Sequence, residues 1–386
     1  MNKSDVSKVR EKKINRQKTI MSIFGFLYFM VCGFLGGLLL SDFIKSITPK
    51  DKISGAMFFI AGILVLLVII ICLLIHLYIH EIGHMIFGFF SGYEFQSIRF
   101  GSLMIYKLNG KLKLAKYTLA GTGGQCLMTP PDVSDDKLPT SLYNLGGIIM
   151  NGGMSIIFGI TYVFCESNPG IRLISALFVL VGLFLIIING IPLEAMGNDG
   201  HNAIHLKKDL RARRAFRIQL LIAGQLALKH SISDMPSEWF EWDYRSDDNA
   251  LAVTQGILRL SWLISTKKME EAYELSTFFI ENVPSLVGIH QTILQAEHLF
   301  CMIVLNKNED EIRNTFVSQH KNFKALRLVP SIQRLLFVYY YNIEKDSTKA
   351  LEAKKCFEKI AAKYPYPSEI VVERELMDMI ENSHES

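Results

Sequence analysis

The fold class is decided by residues 54–90, which read SGAMFFIAGILVLLVIIICLLIHLYIHEIGHMIFGFF. The stretch is almost entirely apolar up to Ile79 and then continues into His80-Glu81-Ile82-Gly83-His84. A helix needs about 20 apolar residues to cross the hydrocarbon core of a bilayer. The segment therefore predicts a transmembrane helix that carries two histidines and a glutamate near its C-terminal end.

Three further segments are long and apolar enough to span a bilayer, and they cover residues 20–44, 143–165 and 171–191. Hydrophobic residues make up 50% of the chain and charged residues 20%, and the long apolar runs lie before residue 200. Apolar and polar residues are thus segregated along the chain. We expect a mainly α-helical, polytopic membrane protein with about four transmembrane helices.

Lysine and arginine are concentrated in residues 3–18, 91–142 and 207–217, whereas the loops 45–53 and 166–170 carry fewer. In membrane proteins the cytoplasmic loops carry the excess of these residues. The distribution predicts a multi-pass protein of the cell membrane with both termini in the cytoplasm. Because the basic residues lie beside apolar segments, they indicate membrane topology and argue against a nucleic-acid partner.

A small sheet is expected directly after the histidine-containing helix. Residues 93–100 partly alternate between polar and apolar, and the runs 103–108 and 112–117 flank Asn109-Gly110. Asn-Gly between two such runs is a strong signal for a β-hairpin turn. We therefore predict a β-hairpin, and with it a small sheet, next to the span at 54–90.

The chain beyond residue 200 has the pattern of a soluble helical protein. Ala272 precedes Pro284 by the same separation as Ala353 precedes Pro365, each behind an amphipathic helix. This spacing resembles the second helix of a tetratricopeptide unit, and a plain helical bundle is the alternative. The predicted organisation is a basic cytoplasmic tail, a transmembrane domain and a cytoplasmic helical domain, at residues 1–19, 20–205 and 206–386.

His80, Glu81 and His84 are the first candidates for chemistry. Ionisable residues at membrane depth cost about 2.5–3.5 kcal/mol each on insertion scales, so they are usually kept for a function. A spacing of four places both imidazoles on one helical face, where they can share a tetrahedral zinc ion. Glu81 can then act as the general base for a water molecule at the metal. The alternative is a polar helix end at the membrane surface.

A zinc site of this kind needs a third protein ligand. Asp199 is the best candidate, because an aspartate oxygen suits zinc and Gly200 would let the backbone turn close to the metal. Glu194 and His201 are alternatives for the same role. Asp199 could also cap the helix that starts near His201, and the two roles are compatible. His76, one turn before His80, is expected to line the cavity or to pack.

With these residues the chain resembles the site-2 protease family of intramembrane zinc metalloproteases. The resemblance covers about residues 54–205 and rests on motifs that occur in the order of the family. The motifs are HEIGH at 80–84 followed by FQSIRFG at 95–101, Gly147 to Asn151 as GxxxN, and Asn189, Pro192, Asp199 and Gly200 as NxxP…DG. The stretch between Pro192 and Asp199 is longer than in the family, and no PDZ-like insertion is visible.

The resemblance implies that His80, His84 and Asp199 bind Zn²⁺ and that Glu81 is the catalytic base. It further implies that Asn151 binds the substrate backbone and that the hairpin presents an extended substrate strand. The expected activity is zinc-dependent hydrolysis of a transmembrane or short hydrophobic peptide within the bilayer. The C-terminal helical domain would select substrates or bind a protein regulator.

Two other functions remain open at this point. A catalytically inactive relative could act as a membrane scaffold or binding protein, although a scaffold does not need Glu81. A metal transporter would place the histidines on an ion path and predicts more carboxylates within the spans. Asn151 likewise has an alternative, which is a hydrogen bond across a helix interface.

Overall fold

The computed structural model describes residues 3–49, 54–116, 123–193, 197–245, 250–283 and 288–382. The chain divides into two compact units. The four-span unit comprises Lys12–Phe95 and Gly123–Leu210. The C-terminal unit comprises Arg211–Ser386 together with Met1–Glu11 and Gln96–Thr122.

The helices of the four-span unit are α1 (Lys3–Ile47), α2 (Gly55–Phe90), α3 (Ser141–Phe164), α4 (Pro169–Gly190) and the short α5 (Asp199–Lys208). Four helices are long and apolar enough to cross a membrane, which confirms the predicted mainly helical fold with four candidate spans. The first helix begins earlier than the predicted span. The basic segment before residue 20 belongs to the same unbroken helix, since it contains neither glycine nor proline and is rich in helix-forming lysine and arginine.

Helices α2 and α3 cross at a point where their backbones touch. A Cβ atom at Gly83 would overlap the carbonyl oxygen of Gly146, and one at Gly146 would overlap the backbone of Gly83. Small residues at such a crossing allow two membrane helices to approach closely. The crossing places the histidine motif of α2 directly against residues 143–151 of α3.

A small antiparallel sheet follows α2, as predicted. Its strands are β1 (Glu94–Phe100), β2 (Leu103–Leu108), β3 (Lys111–Lys116) and β4 (Gly124–Thr129), in the order β3-β2-β1-β4. Asn109 and Gly110 have φ angles of 51° and 75°, which is the pair of positive values that a tight hairpin turn requires. The predicted hairpin is therefore present, with Tyr117 outside the described residues.

The Arg211–Ser386 part of the C-terminal unit is mainly helical. Its helices are α6 (Leu210–Ala227), α7 (Ala250–Ser265), α8 (Met269–Asn282), α9 (Gly288–Val304), α10 (Glu309–Ala325), α11 (Pro330–Val338), α12 (Ser347–Ala361) and α13 (Pro367–Asn382). Phe279, Phe300, Phe323 and Phe357 are fully buried in its core. The tetratricopeptide resemblance of α8 and α12 stays a prediction, and Pro284 lies outside the described residues.

An ion cluster is buried in this helical core. Arg334 of α11 is 1% exposed, donates from Nε to Glu373 and from Nη2 to Glu297, and lies over the Phe300 ring. Two carboxylates thus compensate one buried guanidinium. Nearby, burial and then the charge of Glu373 raise the pKa of Glu369 to about 7.

Glu369 should make the stability of this unit depend on pH. Its carboxyl keeps a proton in the folded state that the unfolded chain releases above about pH 4.3, so stability falls as pH rises from about 4.3 to about 7. We expect a loss of about 2 kcal/mol in unfolding free energy between about pH 5 and about pH 8. The three tryptophans, Trp239, Trp242 and Trp262, all lie in this unit, so tryptophan fluorescence during denaturation of the full chain reports on it.

Glu369→Gln is the control for this effect. An amide cannot release the proton, so the variant should lose most of the pH dependence in that interval. A variant that kept the full dependence would show that another group causes it.

Candidate metal centre

Two histidines of α2 and the first residue of α5 converge on one point. His80 Nε2 lies 3.2 Å from His84 Nε2, and Asp199 Oδ2 lies 2.9 Å from the former and 3.5 Å from the latter. A tetrahedral zinc ion with bonds of about 2.0–2.1 Å holds its ligand atoms about 3.3 Å apart. The three observed distances lie on either side of this value, so the three residues can hold a metal ion of that size.

Contacts behind the imidazoles orient both histidines. His84 Nδ1 lies 2.7 Å from the carbonyl oxygen of Tyr143, to which it donates, so Nε2 is left to face Asp199. The His80 ring lies flat on α3 at Gly147, where a Cβ atom would overlap it. Each ring is therefore held by the backbone of α3, which reaches this position through the crossing at Gly83.

Asp199 is positioned by its neighbour, Asn198. The Asn198 Oδ1 accepts from the backbone nitrogens of His201 (3.1 Å) and Leu193 (3.2 Å). Its Nδ2 donates to the carbonyl oxygens of Ile188 (2.6 Å) and Ile191 (2.7 Å). One side chain thus ties the end of α4 to the start of α5, and it satisfies backbone groups that the break between the helices exposes.

The expected alternative role of Asp199 as a helix cap is wrong. The cap of α5 is Asn198, and α5 begins at Asp199, whose carboxylate is free to point at the histidines. Gly200 also acts differently from the expectation. It is not a turn residue next to the metal, because a Cβ there would overlap the carbonyl oxygen of Gly190, so it allows α5 to pack against the end of α4.

The Asp199 carboxylate is suited to bind a cation. Burial alone would raise the pKa of Asp199, but the two imidazoles beside it hold that pKa well below its usual range. Its buried Oδ2 lies 2.9 Å from His80 Nε2 and 3.5 Å from His84 Nε2. Oδ2 thus faces both imidazoles, where all three residues could bind one metal ion.

Glu81 is buried beside this triangle and is not part of it. Its carboxylate lies against β4, where a Cβ atom at Gly124 would come within 2.7 Å of Glu81 Oε1. On the same strand, burial and then the charge of Glu81 raise the pKa of the Cys126 thiol. The predicted base therefore has its own support from β4, separate from the helix face that carries the histidines.

Asn151 lies at the centre of the α2–α3 interface. Its side-chain amide is fully buried and faces Nδ1 of His80 at 3.3 Å and Nδ1 of His76 at 3.1 Å. This position agrees with the alternative of a hydrogen bond across the helix interface. The substrate contact that the family resemblance implies for Asn151 stays a prediction.

His201, the other described candidate for the third ligand, is not in the triangle. Glu194 lies outside the described residues. His201 is buried, and its ring stacks on His205 with centroids 4.0 Å apart. Among the described residues, Asp199 is the one that joins the two histidines.

Sequence reasoning missed two features of the site. Asn198 could have been recognised, because asparagine directly before the first turn of a helix is a common cap. The role of the Tyr143 carbonyl could not have been recognised, since every residue has a backbone carbonyl and the sequence does not show which one His84 contacts.

Comparisons with models of known protein families, with curated proteins and with solved structures find no match. Conclusions about the site therefore rest on its own geometry.

Gly147→Ala should disturb the centre. The added methyl group occupies the space of the His80 ring, so the ring must move and metal affinity should fall by about tenfold or more. Gly153→Ala is the matched control on the same helix, because its methyl group meets no atom within 4 Å. Competition with a chelator measures both affinities, and equal values would show that the close contact at Gly147 does not govern the site.

Proposed function

We propose that this protein is an intramembrane zinc metalloprotease of the site-2 type, which hydrolyses a transmembrane or short hydrophobic peptide. The observation that carries the proposal is the His80–His84–Asp199 triangle with Glu81 buried beside it, on a helix apolar enough to span a bilayer. His80 lies roughly 15 Å before the C-terminal end of α2, at about 1.5 Å per helical residue. His80, Glu81 and His84 thus lie within the candidate span, and Asp199 joins them from α5.

The donor set supports zinc as the metal. Two imidazole nitrogens and one carboxylate oxygen are ligands that zinc accepts, and three protein ligands leave the fourth tetrahedral position open, as in catalytic sites. Bound there, zinc would polarise the scissile carbonyl and the attacking water as a Lewis acid.

Glu81 carries the proton transfers in this proposal. Its carboxylate takes a proton as water attacks the carbonyl carbon, and it gives that proton to the amide nitrogen as the C–N bond breaks. The products are a carboxylic acid, which receives the OH of the water, and an amine, which receives its remaining hydrogen. Packing against β4 fixes the position of the carboxylate. A general base needs such a fixed position to stay within hydrogen-bond reach of the attacking water.

Strand β4 is the best-placed element for the substrate backbone. It is the last strand in the order β3-β2-β1-β4, and it begins at Gly124, beside Glu81. A peptide that is locally unwound can add to the edge of a sheet through main-chain hydrogen bonds. A substrate strand on β4 would bring its backbone next to the base.

Membrane topology belongs to the same proposal. With the termini in the cytoplasm, as the lysine and arginine distribution predicts, α2 runs inward and the histidines lie toward the cytoplasmic side. Water and products would then exchange with the cytoplasm. The C-terminal unit would select substrates or bind a regulator.

Replacing Glu81 with glutamine separates proteolysis from the other functions. Glu81→Gln keeps the shape of the side chain and all three ligands, so zinc content should stay stoichiometric while cleavage falls by about 10²–10⁴-fold. Mass spectrometry of membrane peptides in cells with the variant should show substrates that wild-type cells lack. His84→Ala should lose both zinc and cleavage.

Glu166→Gln is the matched control, because Glu166 is an exposed glutamate after α3. It should keep both zinc and cleavage. Identical peptide profiles in wild-type and Glu81→Gln cells would rule out proteolysis and favour a scaffold or transporter.

A further inference from the structure

A buried row of polar groups leads to the metal centre. It begins at a backbone carbonyl of α4 and continues through His76 of α2 and Asn151 of α3. His76 Nε2 lies 3.0 Å from the carbonyl oxygen of Phe178, and His76 Nδ1 lies 3.1 Å from the amide oxygen of Asn151. The amide nitrogen of Asn151 lies 3.3 Å from Nδ1 of His80. His76 and Asn151 both have 0% exposure. We call this row the His76–Asn151–His80 chain.

Tight packing fixes the far end of this chain. The His76 ring lies 4.0 Å from the Phe178 ring, centroid to centroid, and against Gly182, where a Cβ atom would overlap the Ser155 hydroxyl. Ser155 donates to the backbone oxygen of Asn151. The imidazole of His76 is therefore enclosed by three helices and has one stable orientation.

We propose that His76 and Asn151 are positioning residues that hold His80 in the tautomer required for metal binding. The proposal rests on the metal centre of the proposed function, and it assigns His76 a role that packing alone would not require.

Donor and acceptor counting supports this assignment. A carbonyl oxygen only accepts, so a neutral His76 must carry its hydrogen on Nε2 to bond Phe178, which makes its Nδ1 an acceptor. At the other end, metal binding through Nε2 of His80 requires the hydrogen on Nδ1, which makes that nitrogen a donor. Asn151 therefore lies between an acceptor, Nδ1 of His76, and a donor, Nδ1 of metal-bound His80.

An asparagine amide can satisfy both neighbours at once. Its nitrogen must face His76 and its oxygen must face His80, which is the orientation half a turn away from the one in this structure. In the present orientation the amide donates to His80 Nδ1, so the hydrogen of that ring lies on Nε2, directed at Asp199. Metal binding and the half-turn of the Asn151 amide are therefore coupled.

The tautomers can be read directly in wild-type protein. Nitrogen-15 spectra of histidine-labelled, zinc-loaded protein in bilayers distinguish protonated from unprotonated ring nitrogens, and the His76 signals are assigned by their loss in His76→Gln. We expect the hydrogen on Nε2 of His76 and on Nδ1 of His80. A hydrogen on Nδ1 of His76 would overturn the proposal.

Metal affinity gives a second readout that does not involve cleavage. His76→Leu fills the space but breaks the chain, and zinc affinity in chelator competition should fall by about 10–100-fold. His76→Gln supplies one donor and one acceptor and should recover part of the loss. Because His76 acts through Asn151, adding His76→Leu to Asn151→Leu should weaken binding little further.

Ser155→Ala is the control, since Ser155 touches the same cluster without being a link of the chain. It should leave zinc affinity nearly unchanged. Wild-type affinity in His76→Leu would overturn the proposal while the proposed function stands, whereas a wild-type protein that binds no zinc would remove the proposed function itself. If His76→Leu does not fold, the tautomers of the wild-type protein decide.

Discussion

The backbone contact between α2 and α3 at Gly83 and Gly146 is the constraint on which the site depends. It brings the helices so close that the His80 ring can lie on Gly147 and the His84 ring can reach the Tyr143 carbonyl. Any side chain at the crossing would push the helices apart, and both contacts would be lost together. The glycine inside the His80–His84 motif is therefore as much a part of the site as the residues around it.

The polar groups around the metal centre are matched to partners within the protein. A carbonyl satisfies His84, the Asn151 amide lies between two imidazoles, and a hydroxyl covers the Asn151 backbone oxygen. Buried polar groups without partners would cost free energy, and paired ones specify a single arrangement. The Nε2 nitrogens of His80 and His84 face each other and the Asp199 carboxylate.

The sequence predicted the parts of this molecule that local pattern determines. Length and hydropathy indicate four spans, Asn109-Gly110 specifies its turn, and a spacing of four puts two imidazoles on one face. The triangle itself could be anticipated only in part. Asp199 is far from His84 in the chain, so its approach depends on how α4 ends and α5 begins.

The rest depends on which backbone groups meet in three dimensions. The acceptor for His84 is a carbonyl that any residue at position 143 would supply, and the contact between Gly83 and Gly146 joins helices whose register has no local signature. The role of His76 could not be predicted from the sequence either, because a histidine near a metal-binding motif can pack in the core, bind the metal or orient a ligand. Its proposed supporting role rests on its distances to Asn151 and Phe178.

The ligands of the centre are held in physically different ways. The histidines are fixed by helix packing and by contacts with α3. Asp199 is fixed by the hydrogen bonds of Asn198 across the break after α4. The break exposes backbone groups that need hydrogen-bond partners, and the side chain that satisfies them also sets the position of the carboxylate. Two separate sets of protein contacts thus set the geometry of the triangle, one around the histidines and one around Asp199.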